Sequence, residues 1–228
     1  MLEIVEKLKS EYGELINFGA SAVFMYNDGL LFSLVKKSKW RIDQAGESVV
    51  DFSGIGGGIE NGESPYDCLI REIHEEVGLG EGECSFSDSG FTRILAKGQL
   101  IEEIKNYPSQ QPQPIIVSVQ EVPEKNRSEK PQKFTHIALF VYLVRVETMP
   151  VLREPDLPGL VYFSGSARDY LSDRTRLRIP TSPDSKVQVF PNLEFGELPP
   201  VIVLEPKFTP ASLALANLEF STLKSLFR

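Results

Sequence analysis

The stretch GGGIENGESPYDCLIREIHEEVGL, residues 56–79, passes from a glycine run into a segment that carries the marks of a helix at both ends. Ser64 suits an N-cap. Pro65 fits the first helical position, where an N–H would lack an intrahelical partner anyway, and Asp67 completes a capping-box-like pattern. Gly78 suits the left-handed position at which helices end. The spacing predicts a helix over about residues 65–77.

At about 100° per residue, Glu72, Glu75 and Glu76 fall at i, i+3 and i+4 and share one helical face. Leu69, Ile70, Ile73 and Val77 cluster on a neighbouring face suited to packing on a sheet. Like charges at this spacing cost roughly 0.2–0.5 kcal/mol per pair, and partial burial raises that cost. A positive charge is therefore expected among them. All three are oxygen donors, no Cys or His shares their face, and His74 points roughly the other way. Such a set favours a hard cation, Mg²⁺ or Mn²⁺, over zinc.

Working outward, residues 36–53 read as a polar loop carrying Lys36, Lys37, Lys39 and Arg41. Its place before the glycine run makes Lys39 and Arg41 candidates for contact with a substrate phosphate. Upstream, the apolar runs Ala20–Met25 and Leu30–Val35 flank Asn27-Asp28-Gly29, a strong hairpin signal. Val5, Leu8, Tyr12 and Leu15 recur at helical spacing, so residues 2–16 predict an amphipathic helix that packs on the domain or on a second subunit. Downstream, segments near 91–104, 114–119 and 134–146 have strand character, separated by Pro-rich polar connections. VQVF and PPVIVLEP read as short strands and residues 209–227 as a closing helix. No internal repeat is present.

This order predicts an α/β fold with a mixed sheet between helical layers. The expected organisation is an amphipathic helix over 1–17, a main domain over 18–165, and an extension over 166–228 packed on the same domain. The net charge of −8 argues against an extended nucleic-acid surface, which depends on Lys and Arg displacing counterions. Cys68 and Cys84 are too few for a disulfide framework and lack zinc-site spacing. Charges interrupt the apolar positions of the first residues, unlike a signal peptide, and no run approaches the roughly 20 apolar residues of a membrane span. The expected location is the cytoplasm.

The spacing Gly57-x5-Glu63-x7-Arg71-Glu72-Ile73-x-Glu75-Glu76-x-Gly78-Leu79 resembles the Nudix box at every specified position. Seven fixed positions at about 6% frequency and two aliphatic ones at about 30% make a chance match on the order of 10⁻¹⁰ at a given site. The resemblance implies a Nudix-type α/β/α sandwich, flanked by the amino-terminal helix and the carboxy-terminal extension. It further implies Glu72, Glu75 and Glu76 as ligands of Mg²⁺ or Mn²⁺, with one of them or another acid as general base. Glu63 and Arg71 would orient loop and helix, and Gly57, with Gly58, would let the backbone turn tightly. The implied activity is hydrolysis of a nucleoside diphosphate linked to another moiety.

Ile55 stands where many relatives carry proline, and the tags of ADP-ribose, dinucleoside polyphosphate and coenzyme A hydrolases are missing. The substrate class stays open. A ligand-binding or regulatory module without turnover is the alternative; such a module would be expected to lose a box glutamate, and here none is lost. Glu154, in REPDLPG, lies where some relatives carry a further carboxylate, with Glu102, Glu103, Glu147 and Asp156 competing for that role. Arg174, Arg176 and Arg178 alternate in TRLRIP as a solvated edge or a phosphate contact. Trp40, Tyr26 and Tyr162 could stack on a base but read as packing residues by default, as does His136 at the start of a strand. The partner expected is a small nucleotide-like molecule, with no membrane, and a homodimer is left open.

Overall fold

Asn27 and Asp28 turn the chain as expected. In the computed structural model, which describes residues 2–106, 111–122, 134–165, 177–180 and 186–204, strand β1 (Ile16–Tyr26) pairs antiparallel with β2 (Gly29–Leu34) across that two-residue connection. Asn27 takes φ 51°, the positive value this tight hairpin turn requires. The closing helix read over 209–227, together with Arg174 and Arg176, lies outside the described residues.

Helix α1 (Leu2–Tyr12) is shorter than the 2–16 expected. Gly13 ends it with φ 83° and donates its N–H to the Lys9 carbonyl at 2.8 Å, the left-handed stop that glycine adopts without steric cost. Leu15 is consequently off the apolar stripe and exposed.

The polar stretch 36–53 contains a 3₁₀ turn (Lys37–Lys39), β3 (Arg41–Ile42), β4 (Ser48–Val50) and β5 (Phe52–Ser53). The glycine run is itself a strand, β6 (Ile55–Gly58), rather than loop, with Gly19 to Ala22 of β1 opposite Gly58 to Ile55. Helix α2 (Pro65–Val77) follows with the expected bounds and a complete Ser64–Asp67 capping box. Then come β7 (Ser85–Phe86), β8 (Phe91–Ala96), β9 (Gln99–Lys105), β10 (Ile116–Glu121), β11 (His136–Val146), β12 (Gly159–Phe163), β13 (Leu177–Pro180), β14 (Val187–Pro191) and β15 (Val201–Leu204). The single strand read over 91–104 is a hairpin, because Lys97 and Gly98, at φ 52° and 77°, supply a turn inside the β-rich run.

Among the described residues the strands form an eleven-stranded mixed sheet, with main order β14-β12-β2-β1-β11-β10-β8-β9, and a four-stranded sheet β13-β15-β4-β3. At the centre, β1 runs parallel to β11 from Ile16 opposite His136 to Tyr26 opposite Val146. Both strands are buried on two faces, which explains their near-continuous apolar sequence. Ala20, Ala22 and Phe24, with Phe140, Tyr142 and Val144, join Ile4 and Leu8 of α1 and Leu69, Ile73 and Val77 of α2 in one core. Val23, Met25, Val141 and Leu143 belong to a second core shared with Val50, Ile179, Ile202 and Leu204 of the smaller sheet. The architecture is the α/β class the sequence predicts.

Candidate active site

Three consecutive glycines of β6 meet three consecutive turns of α2. The Gly56 N–H donates to the Glu76 carboxylate. A Cβ on Gly57 would lie 2.1 Å from Glu72 Oε1, and the Gly58 carbonyl accepts from Arg71 Nη2 at 3.1 Å and from Cys68 Sγ at 3.4 Å. Gly57 is thus required by the close approach of Glu72, whereas nothing stands within 4 Å of a Cβ on Gly58. Ile55 puts its side chain into the core, fully buried, so a large apolar residue suits the position.

Arg71 organises the helix face. Its guanidinium grips Glu63 at both ends, Nε to Oε1 at 2.7 Å and Nη2 to Oε2 at 3.1 Å, while Nη1 reaches Glu72 at 2.8 Å and Glu75 at 3.2 Å. Glu63 also accepts the Glu60 N–H at 2.9 Å, and these bonds, that of Arg71 foremost, hold its carboxyl below the usual carboxylate range. Bidentate pairing of this kind fixes direction as well as charge. It joins the loop before α2 to the helix.

The three glutamates are not equivalent. Glu75 is exposed and Glu72 largely buried beside β6. Glu76 carries its Oε2 into a buried position with no hydrogen-bond partner. Burial first, then the charge of Glu72, pushes its carboxyl up to about 8, despite the Gly56 N–H. A second acid approaches from another element. The carbonyl of Glu76 accepts the N–H groups of Arg153 and Glu154 at 2.7 and 3.4 Å, and the charge of Glu154 adds to the repulsion on Glu76. Gly78 closes α2 at φ 67° and leaves room for Arg153, whose Nε would lie 1.9 Å from a Cβ there.

Besides Arg71, Lys36, two residues past β2, brings a cation to these acids: its Nζ lies 3.6 Å from Glu154 and 3.4 Å from Asp156. Lys39 ends the 3₁₀ turn, and Arg41 opens β3 and bonds Asp51 at 3.1 Å. Sequence reading could place Lys36 only in the same basic loop; its contacts arise across 118 and 120 residues of chain. Of the competing acids, Glu102 bonds Lys7 and Glu103 bonds Arg93, both on the β8–β9 hairpin, and Glu147 is exposed after β11. Arg178 pairs with Glu47 at 2.7 Å on the β13 edge. Trp40 donates to the Val35 carbonyl, Tyr162 to Asp28, and His136 faces the Tyr12 ring at 5.0 Å.

Does this set suit a divalent cation? Among the described residues, no three acidic, His or Cys side chains converge tightly enough in this arrangement to enclose one. Glu72 and Glu75 both turn to Arg71 Nη1. The chemistry nevertheless fits: the donors are hard oxygens, and the unpartnered, half-repelled Glu76 Oε2 is the kind of buried atom a cation would satisfy. Beside β6 lies a cavity of about 240 Å³, bordered by Asn17, Ser21, Ser53, Gly57 and Leu139, with no charged residue in its lining.

A family model described as the NUDIX domain matches residues 17–164. The chain belongs to the Nudix family. It is accordingly a Nudix-type hydrolase with the fold the box implied. Similar solved structures include an E. coli dihydroneopterin triphosphate pyrophosphohydrolase, at 13% identity over 67% of this chain and 84% of that one, with a TM-score of 0.42. A NUDIX-family hydrolase from Clostridium perfringens shows 19% identity over 67% and 84%, with a TM-score of 0.42. A C. elegans Ap4A hydrolase shows 10% identity over 66% and 81%, with a TM-score of 0.37. No curated protein matches the chain. Identities this low leave the substrate of this Nudix protein to be argued from its own residues. Among the described residues, no helix is long and apolar enough to cross a membrane.

Proposed function

We propose that this Nudix protein hydrolyses the diphosphate linkage of a nucleoside diphosphate derivative, using Mg²⁺ or Mn²⁺ held by Glu72, Glu75 and Glu76. The observation that carries the reading is Glu76: a buried carboxylate with one oxygen unpartnered, facing Glu72 and Glu154, on a helix whose other acids are within reach. Retaining such a group costs stability unless something is bound there.

When bound, the divalent ion would neutralise phosphoryl oxygens and acidify a water. The chain's own contribution is positional. Arg71 and Glu63 lock the loop to α2, so that Glu72, Glu75 and Glu76 are presented together. Glu154 comes from a different element, and we assign it the proton of the attacking water, because an in-line attack on phosphorus needs a base away from the ligand face. Lys36, now shared by Glu154 and Asp156, can turn to a substrate phosphate as those acids change partners; Lys39 and Arg41 stay candidates for the same contact from the loop that follows. The uncharged cavity beside Gly57 suits the neutral part of such a substrate. The reducing cytoplasm suits two unpaired thiols, Cys68 and Cys84.

The test is a panel of nucleotide sugars, ADP-ribose, dinucleoside polyphosphates and nucleoside triphosphates with Mg²⁺ or Mn²⁺, with products identified. Cleavage at the diphosphate, abolished by chelation, is expected. Binding without turnover across the panel would leave the regulatory-module reading in its place.

A further inference from the structure

The turn Asn192–Phe195 lies beyond the segment matched by the family model, yet it bonds the loop that carries Glu154 and packs on the segment that begins at Lys36. Asn192 follows β14 and is 5% exposed. Each of its polar atoms is engaged. Its N–H donates to the Pro158 carbonyl at 2.9 Å, and its carbonyl accepts from the Phe195 N–H at 3.1 Å. Nδ2 donates to the carbonyls of Glu154 at 3.1 Å and Leu157 at 2.9 Å, while Oδ1 accepts from the Glu194 N–H at 3.1 Å.

The backbone of Glu154 is therefore held from two sides, its N–H by the Glu76 carbonyl at 3.4 Å and its C=O by the Leu157 N–H of its own loop and by Asn192 Nδ2, each at 3.1 Å. Three residues on, the Phe195 ring packs at 6.4 Å from Trp40 and lies 5.7 Å below the Lys37 ammonium, in the loop that begins at Lys36. One short turn thus joins the segment carrying Glu154 to the segment carrying its partner Lys36. A primary amide is suited to this place: one nitrogen supplies two donors for two carbonyls, and the oxygen takes back an N–H. A carboxylate of the same shape would face both carbonyls with no proton to give.

We propose that Asn192 is a positioning residue for Glu154, so that the carboxy-terminal extension sets the direction from which that carboxylate reaches the acidic site. The inference rests on the reading of Glu154 as base. A turn that merely stabilised the fold would lower the amount of folded enzyme, whereas a positioning turn changes what Glu154 can do.

The experiment is a double-mutant cycle in the full chain. Asn192→Ala and Asn192→Asp, each alone and combined with Glu154→Gln, are compared for kcat and KM. The expected result is a fall in kcat of about 10- to 100-fold for the Asn192 variants with KM little changed, as for a displaced catalytic group. In the Glu154→Gln background the same substitutions add no further loss, since both act through one carboxylate. Amide hydrogen exchange at Arg153 and Glu154 is expected to quicken in Asn192→Ala while β11 stays protected. Should Asn192→Ala not fold, Phe195→Ala, at a half-buried ring, carries the same cycle. Undiminished kcat in a folded variant, losses that multiply in the double variant, or an inert Glu154→Gln would overturn the proposal. If the parent cleaves no diphosphate, the proposed function fails by itself; the exchange rates at Arg153 and Glu154 then decide Asn192, and unchanged rates overturn it.

Discussion

Arg71 holds Glu63 by two near-parallel bonds, at 2.7 and 3.1 Å, and with the remaining nitrogen spans Glu72 and Glu75. The guanidinium is a hinge pin between the β6–α2 loop and the acidic face. Lysine has the charge but neither the fork nor the number of fixed donors. Arg71→Lys is expected to lower turnover by about 10- to 100-fold, the usual cost of losing a group that orients metal ligands. Mn²⁺ affinity should weaken in parallel and far-UV circular dichroism should be unchanged. Wild-type affinity and rate in this variant would remove the orienting role.

Glu76→Gln and Glu75→Gln keep shape and remove charge. Turnover with Mg²⁺ is expected to fall roughly 10²-fold or more in each, with the fold retained, because charge stabilisation at the phosphoryl group is lost. The variant of Glu76, whose Oε2 is buried and unpartnered, is expected to be the worse affected. Normal rates in both would place the chemistry elsewhere.

Glu76 also makes stability depend on pH. Its folded-state carboxyl is pushed up to about 8, first by burial and then by Glu72, against about 4.3 in an unfolded chain. Between those values the folded protein binds more protons than the unfolded one, so the stability this group contributes is complete below about pH 4.3 and declines as pH rises to about 8. Melting curves in chelator should show Tm falling across that window, and Glu76→Gln should flatten the fall. Mg²⁺ should restore stability at the alkaline end by binding the native carboxylates. Parallel pH profiles for the parent and Glu76→Gln would contradict the assignment.

Gly57 and Gly58 should separate. Gly57→Ala forces a methyl against Glu72 Oε1 and is expected to cost about 1–3 kcal/mol, with Glu72 displaced and turnover reduced. Gly58→Ala meets nothing within 4 Å and should stay within about 0.5 kcal/mol of the parent. Urea titrations of the two variants decide the point; equal losses would show that the contact with Glu72 is not what demands glycine.

Helix α2 was legible in the sequence to the residue because its signals are local. A cap, a proline, i, i+3 and i+4 spacing of apolar and acidic positions and a stop glycine act over three or four residues, and the structure reproduces the end signals at Ser64, Pro65, Asp67 and Gly78. The Asn27-Asp28 hairpin was legible for the same reason. Local reading failed where two rules compete in one short segment. The glycine run carries loop composition, but Ile55–Gly58 pair with β1 as a strand, and Gly57 there lets Glu72 come close. Likewise the turn at Lys97-Gly98 is hidden inside a run of strand-forming residues.

The sequence by itself determined that three glutamates share one helix face, that Arg71 can reach Glu63, and that the box belongs to a Nudix protein, because these follow from spacing along a single helix and its lead-in loop. Only the tertiary structure decided that Glu76 carries a buried oxygen without a partner, that Lys36 meets Glu154 and Asp156, and that Asn192 holds the backbone of Glu154. Those relations depend on the parallel pairing of β1 with β11, on the return of the 153–157 loop to the end of α2, and on β14 pairing with β12. Contacts across 38 to 120 residues of chain are selected by the shared burial of whole elements, and no local pattern of residue types records which partner burial will bring near.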